Sequence, residues 1–162
     1  MKIPIVDEND EIIEYKDEKD RKPEDICRVA GLWVTAPNGD ILLAQRAFVK
    51  KRSPGVWGPA VAGTVEEGET YEQNIIKEAE EEIGLKNLKP IFGPKIRRSG
   101  SHEYFAQWFT ATIDHEYPFV KQDEEVEEIK WFSKDEFLKL LKEKPEMFLK
   151  DFDKYIKFFF KK

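Results

Sequence analysis

The segment from Gly63 to Leu85, GTVEEGETYEQNIIKEAEEEIGL, restricts the possible folds more than any other stretch of the chain. Thr70 and Gln73, three positions apart, form a capping box in which each side chain satisfies an amide at a helix start, and Gly84 suits a left-handed helix end. The spacing predicts a helix from about Thr70 to Ile83. At about 100° per residue, Ile75, Ile76, Ala79 and Ile83 share an apolar stripe, so this helix must lie against a core. Glu78, Glu81 and Glu82 fall on the adjoining face, being three and four apart, while Glu80 points to solvent.

As pure structure the glutamates are a poor choice. Like charges at these spacings repel by a few tenths of a kcal/mol per pair, and acids near a helix C-terminus oppose its dipole by about 0.3–1 kcal/mol each. Two readings follow from helical geometry alone. One is a solvated face in a Glu-rich chain. The other is a site for a hard divalent cation, Mg²⁺ or Mn²⁺, for which clustered carboxylates are completed by waters and phosphate oxygens.

The rest of the chain bounds the setting. Its 162 residues, 40% of them hydrophobic and 13% aromatic, suffice for one domain over 1–162 with a real core. A formal net charge of -6 leaves no positive field to attract nucleic acid or anionic lipid. No apolar run reaches membrane-spanning length, and MKIPIVDENDE turns acidic too early for a signal peptide. With Cys27 alone, no internal disulfide forms, which fits a reducing cytoplasm. The expectation is a cytoplasmic protein with no nucleic-acid or membrane partner.

Residues 1–16 read as a hairpin around an Asp/Asn turn, and RVAGLWVTAPNGDILLAQR reads as a stronger one turned by Asn38-Gly39. YFAQWFTATI and EEIKWF read as further strands. Residues 133–162 supply one or two more helices, ending in an apolar-and-Lys tail suited to packing on the domain or on a second copy in a homodimer. The result is a mixed α/β domain.

Gly63, five residues, Glu69, seven residues and then KEAEEEIGL together resemble the signature of the Nudix hydrolases, the MutT-like superfamily. Gly63, Glu69, Glu78, Ala79, Glu81, Glu82, Gly84 and Leu85 match; Lys77 stands where the family has Arg. The resemblance implies an α/β/α sandwich on a mixed sheet, with a loop-helix-loop metal site that serves hydrolysis of a diphosphate linked to another moiety. It implies that Glu78, Glu81 and Glu82 bind the metal, that Gly63 offers a carbonyl nearby, and that Glu69 orients the helix. The metal would neutralise phosphate charge and acidify the attacking water. Lys77 departs from the pattern because an ammonium cannot reproduce the two-pronged contact of a guanidinium.

Residues from about Cys27 to Trp131 also resemble isopentenyl-diphosphate isomerase of the same superfamily. In LLAQRAFVKKRSPGVW, Arg46 and Lys50 fall on the residues that hold the isomerase's diphosphate. The isomerase chemistry is missing its parts. Ala62-Gly63-Thr64 stands in place of the catalytic Cys-Gly-His, Cys27 in place of a metal-binding His, and Ser101-His102-Glu103 in place of an acidic pair. Allylic proton shuttling needs an acid and a base. Hydrolysis is therefore the expectation, with an isomerase-like enzyme and a non-catalytic ligand-binding module as alternatives.

The general base is open among Glu103, by its matched position, Glu127 in DEEVEEIKWF, and His102, since an unperturbed imidazole titrates near neutrality. Glu81 and Glu82 complete the candidate catalytic set. Arg97 and Arg98 in KIRRSG are either phosphate contacts or solvated charges. Trp33, Trp57, Trp108, Trp131, Phe105 and Phe109 read first as core and second as base-stacking groups.

Overall fold

Residues 26–35, ICRVAGLWVT, are apolar on both sides of an extended run, as a strand buried on both faces must be, and the rest of the molecule is arranged around them. The computed structural model describes residues 1–160. Strands β1 (Lys2–Val6), β2 (Ile12–Asp17), β3 (Ile26–Thr35), β4 (Ile41–Arg46), β5 (Trp57–Pro59) and β6 (Val61–Thr64) precede helix α1 (Tyr71–Ile83). Strands β7 (Ile91–Arg98), β8 (Glu103–Thr112) and β9 (Val126–Phe132) follow, then helices α2 (Lys134–Glu143) and α3 (Phe152–Ile156). The final Lys161 and Lys162 of the expected tail lie outside the described residues.

β3 runs parallel to β8 along its whole length, from Ile26 beside Glu103 to Thr35 beside Thr112. Its other edge is shared in turn by β1, β6 and β4, all antiparallel, so the sheet is mixed. Alternation along β3 separates two layers. Ala30, Leu32 and Val34 meet Ile75, Ala79 and Ile83 of α1, while Trp33 meets Trp108, Phe137, Phe148 and Phe152 on the side of α2 and α3. This is an α/β/α sandwich. The tail packs on the second layer, with Phe159 stacked on Trp33 at 4.8 Å.

Three strands escape the sequence pattern. β5 and β6 are three and four residues long with Gly in each, and β7 carries Gly93-Pro94, where its register against β8 shifts. Such segments read as loops because Gly and Pro are poor strand formers, and only pairing with an existing sheet makes them strands. Trp33, Trp57 and Trp108 are buried core groups, as are Phe105 and Phe109. Among the described residues no helix is long and apolar enough to cross a membrane.

Candidate active site

Helix α1 is fixed at both ends. Thr70 Oγ1 accepts from the Gln73 amide at 3.0 Å and Gln73 Oε1 accepts from the Thr70 amide at 2.9 Å. Tyr71, the first helical residue, donates to Asp10 in the β1–β2 turn, and Asp10 is held in turn by Arg28 at 2.7 Å and Lys95 at 2.8 Å. At the other end Gly84 adopts φ 67°, and the orphan carbonyls of Glu82 and Ile83 accept from the amides of Gln122 and Val120 at 2.8 and 3.0 Å.

Between its ends the helix is pressed onto β6. A Cβ on Gly63 would lie 2.6 Å from Glu78 Cγ and 2.9 Å from Asn74 Oδ1, so the approach of helix to strand requires glycine there. Asn74, fully buried, donates to the Thr64 carbonyl and to Glu69 Oε1, both at 3.1 Å. Lys77 Nζ hydrogen-bonds Glu66, lies 2.7 Å from Glu69 and 3.7 Å from Glu78. Burial alone would depress the Lys77 ammonium, but Glu66 and Glu69 outweigh it and hold the group above its ordinary value. A compact ammonium thus ties the Glu66–Glu69 loop to the helix at the position preceding Glu78.

This docking places Glu78, Glu81 and Glu82 on the wall of a cleft of about 640 Å³. Glu78 and Glu82 are hydrogen-bonded to one another. Burial first, and then the hydrogen bond and charge of Glu78, push the Glu82 carboxyl far above the usual carboxylate range; Glu78 is raised too, chiefly by burial. The pair cannot ionise fully at neutral pH without a counter-charge. Glu81 is exposed at the rim, and Glu80 faces solvent. Among the described residues, no three carboxylate, thiol or imidazole groups converge tightly enough to enclose a cation as they stand. Two half-buried carboxyls with raised proton affinity beside an exposed third are nonetheless a donor set that a hard divalent cation fits, since the ion supplies the missing charge.

Facing this acidic wall are Arg46 and Lys50, with Lys50 paired to Glu125. Burial, and secondarily the charge of Arg52, lower the Arg46 guanidinium, which still stays charged. Glu69 and Lys77 sit behind the wall, touching it through Glu78.

The remaining candidates lie elsewhere. Glu103 is on the opposite face of β8 from His102 and Tyr104, which line the cleft. It accepts from Arg97 at 2.9 Å, Ser99 at 2.9 Å and the Gly100 amide at 3.1 Å; these contacts, led by the Gly100 amide, hold its carboxyl below its ordinary value. Arg97 is further bound to Glu8, while Arg98 lies 4.5 Å from the Tyr155 ring and donates to the Lys154 carbonyl. Glu127 lines a separate depression with Tyr117, Phe119 and Trp131. The cleft is lined instead by Glu125, two positions earlier, because the chain reaches β9 through a turn that ends at Val126. Sequence reasoning passed over Glu125, Arg21 and Arg52; the alternation of Glu125 and Glu127 about the apolar Val126 was its only signal, and it does not separate the two.

A mixed sheet thus lies between helical layers, and a Gly-anchored acidic helix borders a cleft that also carries basic side chains. Residues 26–152 match the NUDIX domain, and the chain belongs to that family. Its fold is similar to DR0079 from Deinococcus radiodurans, with a TM-score of 0.75 at 20% identity over 89% of this chain and 90% of the other. It is also similar to a MutT NUDIX hydrolase from Burkholderia pseudomallei, with a TM-score of 0.60 at 23% identity over 70% and 87%. An Ap4A hydrolase from C. elegans gives 0.57 at 18% identity over 75% and 90%. Among curated proteins, an isopentenyl-diphosphate Delta-isomerase from Salmonella heidelberg is 36% identical over 62 residues, 37% of this chain. That match spans only 34% of the isomerase's own length.

Proposed function

We propose that this protein is a divalent-metal-dependent hydrolase of a phosphoanhydride in a small diphosphate compound. The observation that carries the reading is the half-buried Glu78–Glu82 carboxyl pair lining one cleft together with Arg46 and Lys50. An acidic wall and a basic wall this close fit a polyanion together with a cation, and neither wall is stable alone.

Glu78, Glu81 and Glu82 would hold the ion, Mg²⁺ or Mn²⁺, with Gly63 beside them. When bound, a divalent cation supplies neutralisation of phosphate oxygens and acidification of a nearby water. Arg46 and Lys50 orient the diphosphate, the first by the paired donors of its guanidinium and the second as a point charge. Glu81, exposed at the rim, accepts the proton from the attacking water. Glu69 and Lys77 act by positioning Glu78. Glu103 and Glu127 are better read as structural carboxylates, since neither lines this cleft.

The isomerase reading loses support at the same site. Ala62 and Thr64 line the cleft where an acid-base pair is needed, and Cys27, 1% exposed, has a thiol that burial pushes up, away from reactivity. A domain kept only for binding would have no need of this cluster of carboxyls.

The test is phosphate or pyrophosphate release from nucleoside diphosphates and triphosphates, nucleotide sugars, ADP-ribose and isopentenyl diphosphate, with and without Mg²⁺ or Mn²⁺. Metal-dependent turnover of at least one compound is the expected result. Binding without turnover across the panel would promote the ligand-binding module, and conversion of isopentenyl diphosphate to its allylic isomer would restore the isomerase.

A further inference from the structure

Beyond Arg46 and Lys50 the same cleft continues to an end lined by Arg21, Arg52, His102 and Tyr104. Outside the cleft the arginines of this protein have partners: Arg28 pairs with Asp10, Arg97 with both Glu8 and Glu103, and Arg98 with the Tyr155 ring and the Lys154 carbonyl. Among the described residues none of Arg21, Arg46 and Arg52 lies within 4 Å of a carboxylate oxygen, although Glu18 lines the same end.

Arg21 Nε is shielded from solvent and has no hydrogen-bond partner. A charged donor in that state has lost its water without gaining a replacement, an arrangement that costs stability unless a ligand completes it. Burial, followed by the charges of Arg21 and Arg52, depresses the His102 imidazole, so these three groups share one electrostatic field. Arg46 Nε donates to the Arg52 carbonyl at 3.0 Å, which sets this end directly beside the diphosphate grip.

We infer that Arg21, Arg52 and His102 form a second anion subsite, which takes a third phosphoryl group contiguous with the diphosphate held by Arg46 and Lys50. The inference rests on the proposed hydrolase reading for the diphosphate's position, and it narrows the substrate class to triphosphates. The two guanidinium charges, without a carboxylate within 4 Å among the described residues, match the charge of a terminal phosphoryl group, and the neutral His102 imidazole adds a hydrogen-bonding nitrogen. A neutral leaving group such as an isoprenyl chain would leave Arg21 Nε unsatisfied.

The experiment is calorimetric binding of inorganic tripolyphosphate and pyrophosphate in metal-free buffer, to the wild-type chain, to Arg52→Gln and to Arg21→Gln/Arg52→Gln. Charge-assisted contacts to phosphate should make tripolyphosphate bind about 100-fold tighter than pyrophosphate, or roughly tenfold per arginine. The double variant should bring the two affinities within about threefold while leaving pyrophosphate binding unchanged. Arg52 is exposed, so Arg52→Gln keeps its fold and should lose roughly tenfold for tripolyphosphate alone even if the double variant does not fold. Equal affinities in the wild type, or equal losses for both ligands in the variants, would overturn the subsite. A parallel turnover assay with one nucleoside as its diphosphate and its triphosphate separates the two proposals. No turnover of either, with the tripolyphosphate preference intact, sinks the hydrolase and leaves the subsite; turnover of both without preference does the reverse.

Discussion

Two clusters of charge, one around the β7–β8 turn and one along α1, are built by opposite rules. Around the β7–β8 turn, Glu103 accepts three hydrogen bonds, Arg97 bridges Glu103 to Glu8, and the carboxyls of both acids are held below their ordinary values. On the C-terminal half of α1, Glu78 and Glu82 are half-buried side by side with their carboxyls raised, and Arg21, Arg46 and Arg52 line the same cleft without a carboxylate partner among the described residues. Both clusters are Glu and Arg. What separates them is whether the fold itself supplies the counter-charge. A cluster whose charges are satisfied internally adds to structure, whereas one left unbalanced reports a binding partner that carries the missing charges.

The largest effect should come from Glu82→Gln. Removing a carboxylate from the acidic wall should lower metal-dependent kcat about 10³-fold or more, the scale of losing several kcal/mol of charge stabilisation. The same change should leave the metal-free melting temperature at neutral pH unchanged or higher, because a neutral amide replaces an acid that the fold resists ionising. Loss of activity accompanied by loss of stability would show instead that the two clusters follow one rule.

Next in size is Gly63→Ala. Its Cβ would meet Glu78 Cγ at 2.6 Å, and Asn74 behind it is fully buried, so α1 must move by several tenths of an ångström. Displacements of that order at a reacting centre cost about 10²-fold in rate. Measured kcat/KM should fall accordingly, while circular dichroism stays that of the parent.

Acidity offers a third probe, smaller because it acts through stability. In the folded chain the Glu82 carboxyl is held above its ordinary value of 4.5 by burial and by Glu78. Below about pH 4.5 folded and unfolded chains both carry the proton, so this contribution to stability is intact. Above it the unfolded chain ionises first, and stability falls as pH rises toward the folded value. Thermal melts of the metal-free protein against Glu82→Gln should therefore diverge with rising pH, to the disadvantage of the parent, and Mg²⁺ or Mn²⁺ should close the gap. A gap that is independent of pH would rule out the raised carboxyl.

How much of this was legible beforehand follows the range of the forces involved. The helix, its capping box, its Gly84 end and the shared face of Glu78, Glu81 and Glu82 depend on residues within a few positions of one another, and the chain displays them directly. The close approach at Gly63 was visible only as a motif position, since its cause, Glu78 packed over β6, spans fifteen residues of chain. Glu103 and Glu127 could not be sorted from Glu125 for a related reason. Strand alternation assigns a side chain to a face, but which face borders the cleft depends on where α1 and the loop that precedes β9 come to lie. Arg21 looks like one cation in a charged loop, and only the fold reveals its Nε as a shielded donor without a partner among the described residues.

The smallest effect should fall on the balanced cluster. Glu103→Gln keeps one acceptor, which can serve the Gly100 amide, but puts an NH2 where Ser99 and Arg97 each meet an oxygen at 2.9 Å, so Arg97 would fall back on Glu8. Because the side chain lies on the far face of β8 from the cleft, kcat and KM should each change by less than about threefold, the scale expected of a substitution away from the reacting groups. Its stability effect has the opposite pH sense to that of Glu82. Contacts led by the Gly100 amide hold the Glu103 carboxyl low, so its contribution is present above the ordinary carboxylate value of 4.5 and disappears as pH falls through the depressed folded value. Melts of Glu103→Gln and the parent should therefore differ at neutral pH and converge in acid, where those of Glu82→Gln also meet the parent from the other side. A large loss of turnover in Glu103→Gln with unchanged melting would make this carboxylate a working part of the site, and internal satisfaction would no longer distinguish structure from function in this protein.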